Sequence, residues 1–266
     1  MPDLPLAEPP LAELRAFADT LAQAAADAAL PHFRTRHAVQ NKLEGGFDPV
    51  TLADQGAEQA MRELIHAHYP EHGIYGEEYG QEPGTSPLTW VLDPIDGTRA
   101  FITGLPLWGT LIALNDGTRP VLGVMSQPFT GERFVGTPEG AWLGEQRLRT
   151  RACGRIEEAI MMSTSPQLFD IPRRKAAFEH LSARARMIRY GGDCYAYCML
   201  AMGLVDVVIE DSLKPYDVQA LIPIIEGAGG RMTAWDGGTA QHGGAVVAAG
   251  DPALHGWLVG QLRGAL

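Results

Sequence analysis

The sequence predicts a mixed α/β protein, on three observations. An N-terminal stretch rich in alanine and leucine repeats its apolar residues at helical spacing, the middle of the chain breaks into short β-type runs separated by turn residues, and beyond about residue 150 strand-like runs alternate with helical ones. Leu11 to Phe33 carries the helical pattern, and Pro31 marks its end. Asn41 to Phe47 (NKLEGGF) is polar and glycine-containing and reads as a flexible loop. Asp54 then stands at the N-terminal end of a second helix that runs to about Tyr69, ahead of Pro70. Between Ile74 and Val135 the strand candidates are Trp90–Asp93, Thr110–Leu114, Pro120–Met125 and Glu132–Gly136, which suggest a largely antiparallel sheet. Further on, AIMMS, MIRYG, VDVVIE and AVVAAG are strand candidates, with helices expected near Arg173–Ala183, Asp193–Met202, Asp217–Ala228 and Pro252–Leu262. No repeat or low-complexity linker divides the chain. The expectation is one domain over residues 1–266, with lobes of about 1–150 and 151–266 sharing one cleft.

With 266 residues, 45% of them hydrophobic, the chain is long enough to bury a sizeable core. Its net charge is −11, from 21 Lys+Arg against 32 Asp+Glu. Such a chain repels phosphate backbones, so nucleic acid is not an expected partner. It also repels a small phosphorylated substrate unless cations stand between them, which is a first pointer to metal ions. No apolar run approaches the roughly 20 residues of a membrane span. Met1–Pro10 carries Asp3 and Glu8 but no basic cluster followed by an apolar run, so no secretory signal is expected. Cys153, Cys194 and Cys198 are odd in number and form no CxxC pair, which fits a reducing cytoplasm. Cys194 and Cys198, four apart on a helix, read as small core residues.

Three segments concentrate acids at expected strand ends: GEEYG (Gly76–Gly80), LDPIDGT (Leu92–Thr98) and KPYDV (Lys214–Val218). Taken singly, Glu77 and Glu78 fit a solvated loop, Asp93 and Asp96 a turn, and Asp217 a helix cap. Taken together, with apolar strands feeding them, they describe a site for a hard cation. Carboxylate oxygens suit Mg²⁺, whereas zinc would bring in histidine or thiolate, and the eight histidines form no HExxH-like cluster. Gly97 and Thr98 follow Asp96 directly and can open a helix or turn whose free N–H groups bind a phosphate. Cation ligands beside phosphate-binding amides are what phosphoryl transfer to water requires.

GEE, then WVLDPIDGTRAF (Trp90–Phe101), then PYDVQALIPIIEGAGG (Pro215–Gly230) resemble the three signature blocks of the inositol-monophosphatase family, in order and at suitable spacing. DPVTLAD (Asp48–Asp54) resembles its upstream segment. The resemblance covers nearly the whole chain. It implies a fold of alternating α, β, α, β and α layers, a homodimer, and a phosphomonoesterase using two or three Mg²⁺ ions per site. It implies that Glu77, Asp93, Asp96, Asp217 and the Ile95 carbonyl are metal ligands, that Gly97 and Thr98 hold the phosphate, and that Asp54 with Thr98 orients and deprotonates the attacking water. Glu78 is similar to a glutamate that supports the ligands from outside, and Lys42 falls in the loop matching the family's mobile lid.

YGGDCYAYC (Tyr190–Cys198) and VVIEDS (Val207–Ser212) resemble family segments that line the leaving group. Asp193 and Glu210 would put two carboxylates beside it. A neutral polyol needs no second charge there, and leaving one unpaired is costly, whereas a cationic alcohol compensates it. DGTRAFITGLPLWGTLIAL (Asp96–Leu114) and LKPYDVQALIPIIEGAGG (Leu213–Gly230) are also similar to the branch that hydrolyses histidinol phosphate, the substrate expected here. Inositol-1-phosphate or a broad range of sugar phosphates is the alternative, and a non-catalytic metal- or phosphate-binding relative is the alternative of a different class. A haloacid-dehalogenase-type DxDGT site is disfavoured because Asp93 and Asp96 are three apart, not two.

Overall fold

The structure, a computed structural model, describes residues 9–35, 40–41 and 49–266. In chain order the elements are α1 (Leu11–Ala29), β1 (Gln40–Asn41), β2 (Pro49–Val50), α2 (Leu52–His68), β3 (Gly73–Gly76), β4 (Gly80–Glu82), β5 (Thr89–Asp96), α3 (Thr98–Ile102), β6 (Gly109–Asn115), β7 (Pro120–Gln127), β8 (Glu132–Thr137), β9 (Gly140–Leu143) and β10 (Gln146–Arg147). There follow β11 (Ile160–Ser163), α4 (Pro172–Ser182), β12 (Met187–Tyr190), α5 (Cys194–Ala201), β13 (Val207–Leu213), α6 (Pro215–Val218), α7 (Leu221–Gly227), β14 (Arg231–Ala234), β15 (Gly244–Ala249) and α8 (Pro252–Leu262). One sheet has the strand order β10-β9-β8-β7-β6-β5-β3-β4 and is antiparallel except between β3 and β5. The second has the order β12-β11-β13-β15-β14, parallel across β12, β11 and β13 and antiparallel beyond.

Alternating side chains sort these strands into layers. On β5 and β6, Trp90, Leu92, Ile112 and Leu114 pack with Leu21 of α1 and Met61 of α2, while Val91, Leu111 and Ala113 face the opposite way, towards α5 and α7. On β13 and β15, Val208, Val246 and Ala248 join that same middle core, whereas Val207, Ile209 and Val247 pack under α4 and α8 with Phe178 and Leu258. The result is the expected α, β, α, β, α stack. Strand backbones meet the middle layer closely: a Cβ on Gly123 would lie 1.9 Å from Ala220 O, and one on Gly136 would lie 2.2 Å from Ile224 N. Glycine at both places lets the chain that follows Asp217 rest directly on the large sheet. Among the described residues no helix is long and apolar enough to cross a membrane.

Several boundaries differ from the sequence reading. The first helix stops at Ala29 and tightens into a 3₁₀ turn at Leu30–His32, where Pro31 lacks a donor. The helix expected from Asp217 to Ala228 is two pieces, α6 and α7, because Pro223 has no N–H to return to Gln219. Thr51, and not Asp54, caps α2: its hydroxyl accepts the Ala53 N–H at 3.1 Å, and Asp54 lies in the first turn, accepting the Thr51 N–H at 2.9 Å.

Candidate active site

The strand β5 carries Asp93 and Asp96 to its C-terminal end. In a regular strand residues three apart face opposite ways, but the pairing with β6 shifts register between these two, and both line one cleft of about 280 Å³. The cleft also presents Glu77, Ile95, Gly97, Thr98, Asp193, Glu210 and Asp217. Carboxylate oxygens of Asp93, Asp96 and Asp217 lie within 4.8 Å of one another. Glu77 adjoins them through Asp93, and its own N–H is held by Leu92 O at 3.1 Å. A larger cavity of about 520 Å³ beside Arg119, Pro138 and Ile222 has Glu226 as its one carboxylate and offers no such cluster.

Burial, and then the neighbouring carboxylates, push these acids towards their neutral forms. Asp93 is raised well above the usual carboxylate range, first by burial and next by Glu77. Asp217 is raised to about 7, and so is Asp96. Partial compensation comes from backbone donors: the Cys194 N–H, at the start of α5, gives Asp96 Oδ2 a 2.6 Å bond, and the Lys214 N–H gives Asp217 Oδ2 one of 2.7 Å. Asp217 is thus both the capping acid of α6 and a member of the cluster. Asp93 Oδ1 is buried without any donor. Crowded carboxylates with an orphaned oxygen fit a hard divalent cation. The nearby Cys194 thiol is held protonated by burial and Asp96, which makes it a poor ligand for a soft metal.

Asp54, buried on α2, does not line the cleft and meets the site through Thr98. Its Oδ2 accepts both the Thr51 N–H and the Thr51 hydroxyl, the latter at 2.6 Å, and its Oδ1 lies 3.4 Å from the Thr98 hydroxyl. That hydroxyl also points at Ile95 O, 3.0 Å away. Thr98 opens α3, preceded by Gly97 at φ 82°, a left-handed conformation that suits glycine. The first amides of a helix have no acceptor within it, so this turn faces the cleft with donors.

Beside Gly97, where an added Cβ would lie 3.3 Å from Asp193 Cβ, Asp193 precedes α5 at the cap position, but its side chain makes no capping bond. Burial, then Asp96 and Glu210, raise its pKa to about 8, and Arg99 opposes the shift. Glu210 is buried, and both its oxygens have donors: the Thr164 N–H at 2.7 Å and the Tyr197 hydroxyl at 3.0 Å. Lys42 lies outside the described residues, as does most of its loop. Glu78 does not line the cleft, and its N–H donates to Glu58 Oε2 at 2.7 Å. Sequence reasoning missed Glu58, Arg99, Thr164 and Tyr197. Arg99 was within reach, since it directly follows the DGT turn.

The chain matches the model of the inositol monophosphatase family over residues 10–265, and it belongs to that family, whose members here are phosphoric monoester hydrolases. It is 43% identical over 235 residues, 87% of this chain and 67% of the relative, to the bifunctional phosphatase IMPL2, chloroplastic, of Arabidopsis thaliana. It is 35% identical over 258 residues, 92% and 95% of the two chains, to the histidinol-phosphatase of Streptomyces coelicolor. A solved inositol monophosphatase from Zymomonas mobilis superposes with a TM-score of 0.85 at 40% identity, covering 96% of this chain and all of that one.

Proposed function

We propose that this chain is a Mg²⁺-dependent histidinol-phosphatase, releasing phosphate from L-histidinol phosphate in histidine biosynthesis. The observation that carries the substrate choice is Asp193, a carboxylate facing the cleft and not engaged in capping the helix it precedes. Burial and its acidic neighbours hold this carboxyl towards its neutral form against Arg99, and a cationic leaving group, such as the ammonium and imidazole of histidinol, would draw out its charge. The likeness to the Streptomyces coelicolor histidinol-phosphatase supports the same reading.

Glu77, Asp93, Asp96, Asp217 and the Ile95 carbonyl would hold two or three Mg²⁺ ions, which supply charge neutralisation at the phosphate and a more acidic water. The Gly97–Thr98 turn holds phosphoryl oxygens by its amides. The Thr98 hydroxyl orients the attacking water and relays its proton to Asp54, whose other oxygen is fixed by Thr51. The proposed assembly is a homodimer, and the three free, buried cysteines support a cytoplasmic setting.

A second reading, inositol-1-phosphatase, is favoured by Glu210: neutral donors already satisfy both its oxygens, so it does not call for a cationic ligand. The two readings separate in a phosphate-release panel with Mg²⁺, comparing histidinol phosphate, inositol-1-phosphate, adenosine 3′,5′-bisphosphate and fructose-1,6-bisphosphate. Histidinol phosphate is expected to have the highest kcat/KM. Preference for inositol-1-phosphate would overturn the substrate assignment, and no turnover of any ester would overturn the enzyme reading.

A further inference from the structure

We propose that Glu58 is a positioning residue that sets the Glu77 carboxylate against Asp93, an inference that rests on the magnesium reading above. Glu58 is fully buried on α2, one turn beyond Asp54 and one turn before Arg62, so the three charged side chains share one face of the helix. Its Oε2 accepts the Glu78 N–H at 2.7 Å. Its Oε1 accepts the Tyr79 N–H at 3.2 Å and the Arg62 Nε–H at 2.8 Å. Arg62 in turn donates to Gly80 O. The turn from β3 to β4 is therefore gripped at residues 78, 79 and 80 from α2, and at Glu77 N–H by Leu92 O of β5. Glu77 lies between the two grips. The carboxylate also presses on the end of β3, where a Cβ on Gly76 would meet Glu58 Oε1 at 1.9 Å.

This arrangement does more than pair two charges along a helix. An i, i+4 ion pair would need one oxygen and could lie anywhere on α2. Here donors converge on both oxygens of Glu58, and two of them are backbone amides next to a proposed ligand. An amide side chain of the same shape cannot serve them all. Whichever oxygen becomes NH₂ meets an N–H donor head-on, at Glu78 or at Tyr79 and Arg62. By the same geometry α2 links the two halves of the site, with Asp54 facing Thr98 and Glu58 holding the turn that bears Glu77.

The test is Mg²⁺ binding by calorimetry on the full chain without substrate, alongside melting temperature and amide exchange of residues 77–80. E58Q is expected to bind Mg²⁺ about 10- to 100-fold more weakly, as loss of a partner behind a metal ligand does, and its Glu78 and Tyr79 amides should exchange faster. I65V, in the apolar core of the same helix, should lower the melting temperature and leave Mg²⁺ affinity unchanged. E58D keeps the charge beside Arg62 but withdraws it by one methylene, and should weaken Mg²⁺ in the same direction, so a misfolded E58Q does not end the test. Unchanged Mg²⁺ affinity in a folded E58Q or E58D would overturn the proposal and leave Glu58 as a helix ion pair. No Mg²⁺ binding by the unsubstituted chain would instead overturn the magnesium reading, and this inference with it.

Discussion

The two walls of the cleft hold their carboxylates in different ways. On one wall Asp93, Asp96 and Asp217 lie within 4.8 Å of one another, and Asp93 Oδ1 has no donor at all. On the other, Glu210 is as deeply buried as Asp93, yet a backbone N–H and a tyrosine hydroxyl satisfy it. The first wall is electrostatically incomplete and the second is largely complete. Buried acids left short of donors are stable as a group only when protonated or beside a cation, so the incompleteness marks where positive charge belongs. Asp193 stands between the two cases. It faces the same cleft, but its charge is opposed by Asp96 and Glu210 and favoured by Arg99.

The largest effect is expected on the incomplete wall. Asp96→Asn keeps the shape and an oxygen for the Cys194 N–H, yet removes a charge from the centre of the cluster. Loss of several kcal/mol of charge stabilisation, at about 1.36 kcal/mol per tenfold, predicts a fall in kcat of about 10³-fold with the fold intact. Circular dichroism beside steady-state kinetics checks it, and near-normal turnover would mean that the cluster is not where the chemistry occurs. Thr98→Ala comes next. It leaves all four carboxylates in place and removes the hydroxyl between Ile95 O and Asp54, so Mg²⁺ binding should persist while kcat drops roughly 10²-fold, the low end for loss of a general-base relay. If kcat is unchanged, the water needs no relay through Asp54.

A smaller and more selective effect is expected at the boundary between the walls. Asp193→Asn removes one charge-assisted contact, worth about 1.5–3 kcal/mol, or roughly 10- to 150-fold in kcat/KM for histidinol phosphate. Turnover of p-nitrophenyl phosphate, which has no cationic group, should barely change. Equal losses on both substrates would show that Asp193 serves the acid cluster and not the leaving group.

The sequence exposed the incomplete wall far better than the complete one. DPIDGT puts two acids, a left-handed glycine and a hydroxyl in one uninterrupted run, and the strand feeding it is plain from its short apolar run, Trp90–Leu92, so both fold and chemistry are local there. The bulge that turns Asp93 and Asp96 to the same side is marked in the sequence only by Pro94, which cannot donate to the ladder, and the side to which it turns them depends on the partner strand. Glu58 was illegible for a different reason. Flanked by Asp54 and Arg62 at four-residue spacing, it has the pattern of a solvated helix face, and only the distant Gly76–Tyr79 turn makes it a buried clamp. Tyr197 and Thr164, which complete Glu210, come from α5 and the residue after β11, and no spacing along the chain joins them. The break between α6 and α7 was legible in Pro223.

The smallest expected effect tests the incompleteness itself, through stability. Burial, then carboxylate neighbours, raises Asp96 and Asp217 to about 7 in the folded chain, whereas an unfolded aspartate titrates near ~3.9. Between those values the folded state holds more protons than the unfolded one, so stability is fully present below about pH 4 and is lost as pH rises through about 7. Carboxylates elsewhere that are paired in the native state act the opposite way below about pH 5, so the window to examine is about pH 5 to 8. With metal removed by chelator, the melting temperature should fall across that window by a few degrees, corresponding to about 1–2 kcal/mol once water in the cleft is allowed for. Mg²⁺ added at pH 8 should restore it, because a cation lowers the pKa of each carboxylate it touches. Asp96→Asn should flatten the slope and melt higher than the unsubstituted chain at pH 8 in chelator, although it is the variant expected to lose most activity. A melting temperature independent of pH in chelator, or an Asp96→Asn variant less stable there, would mean that backbone donors such as the Cys194 N–H already compensate the cluster, and that the contrast between the two walls is one of geometry alone.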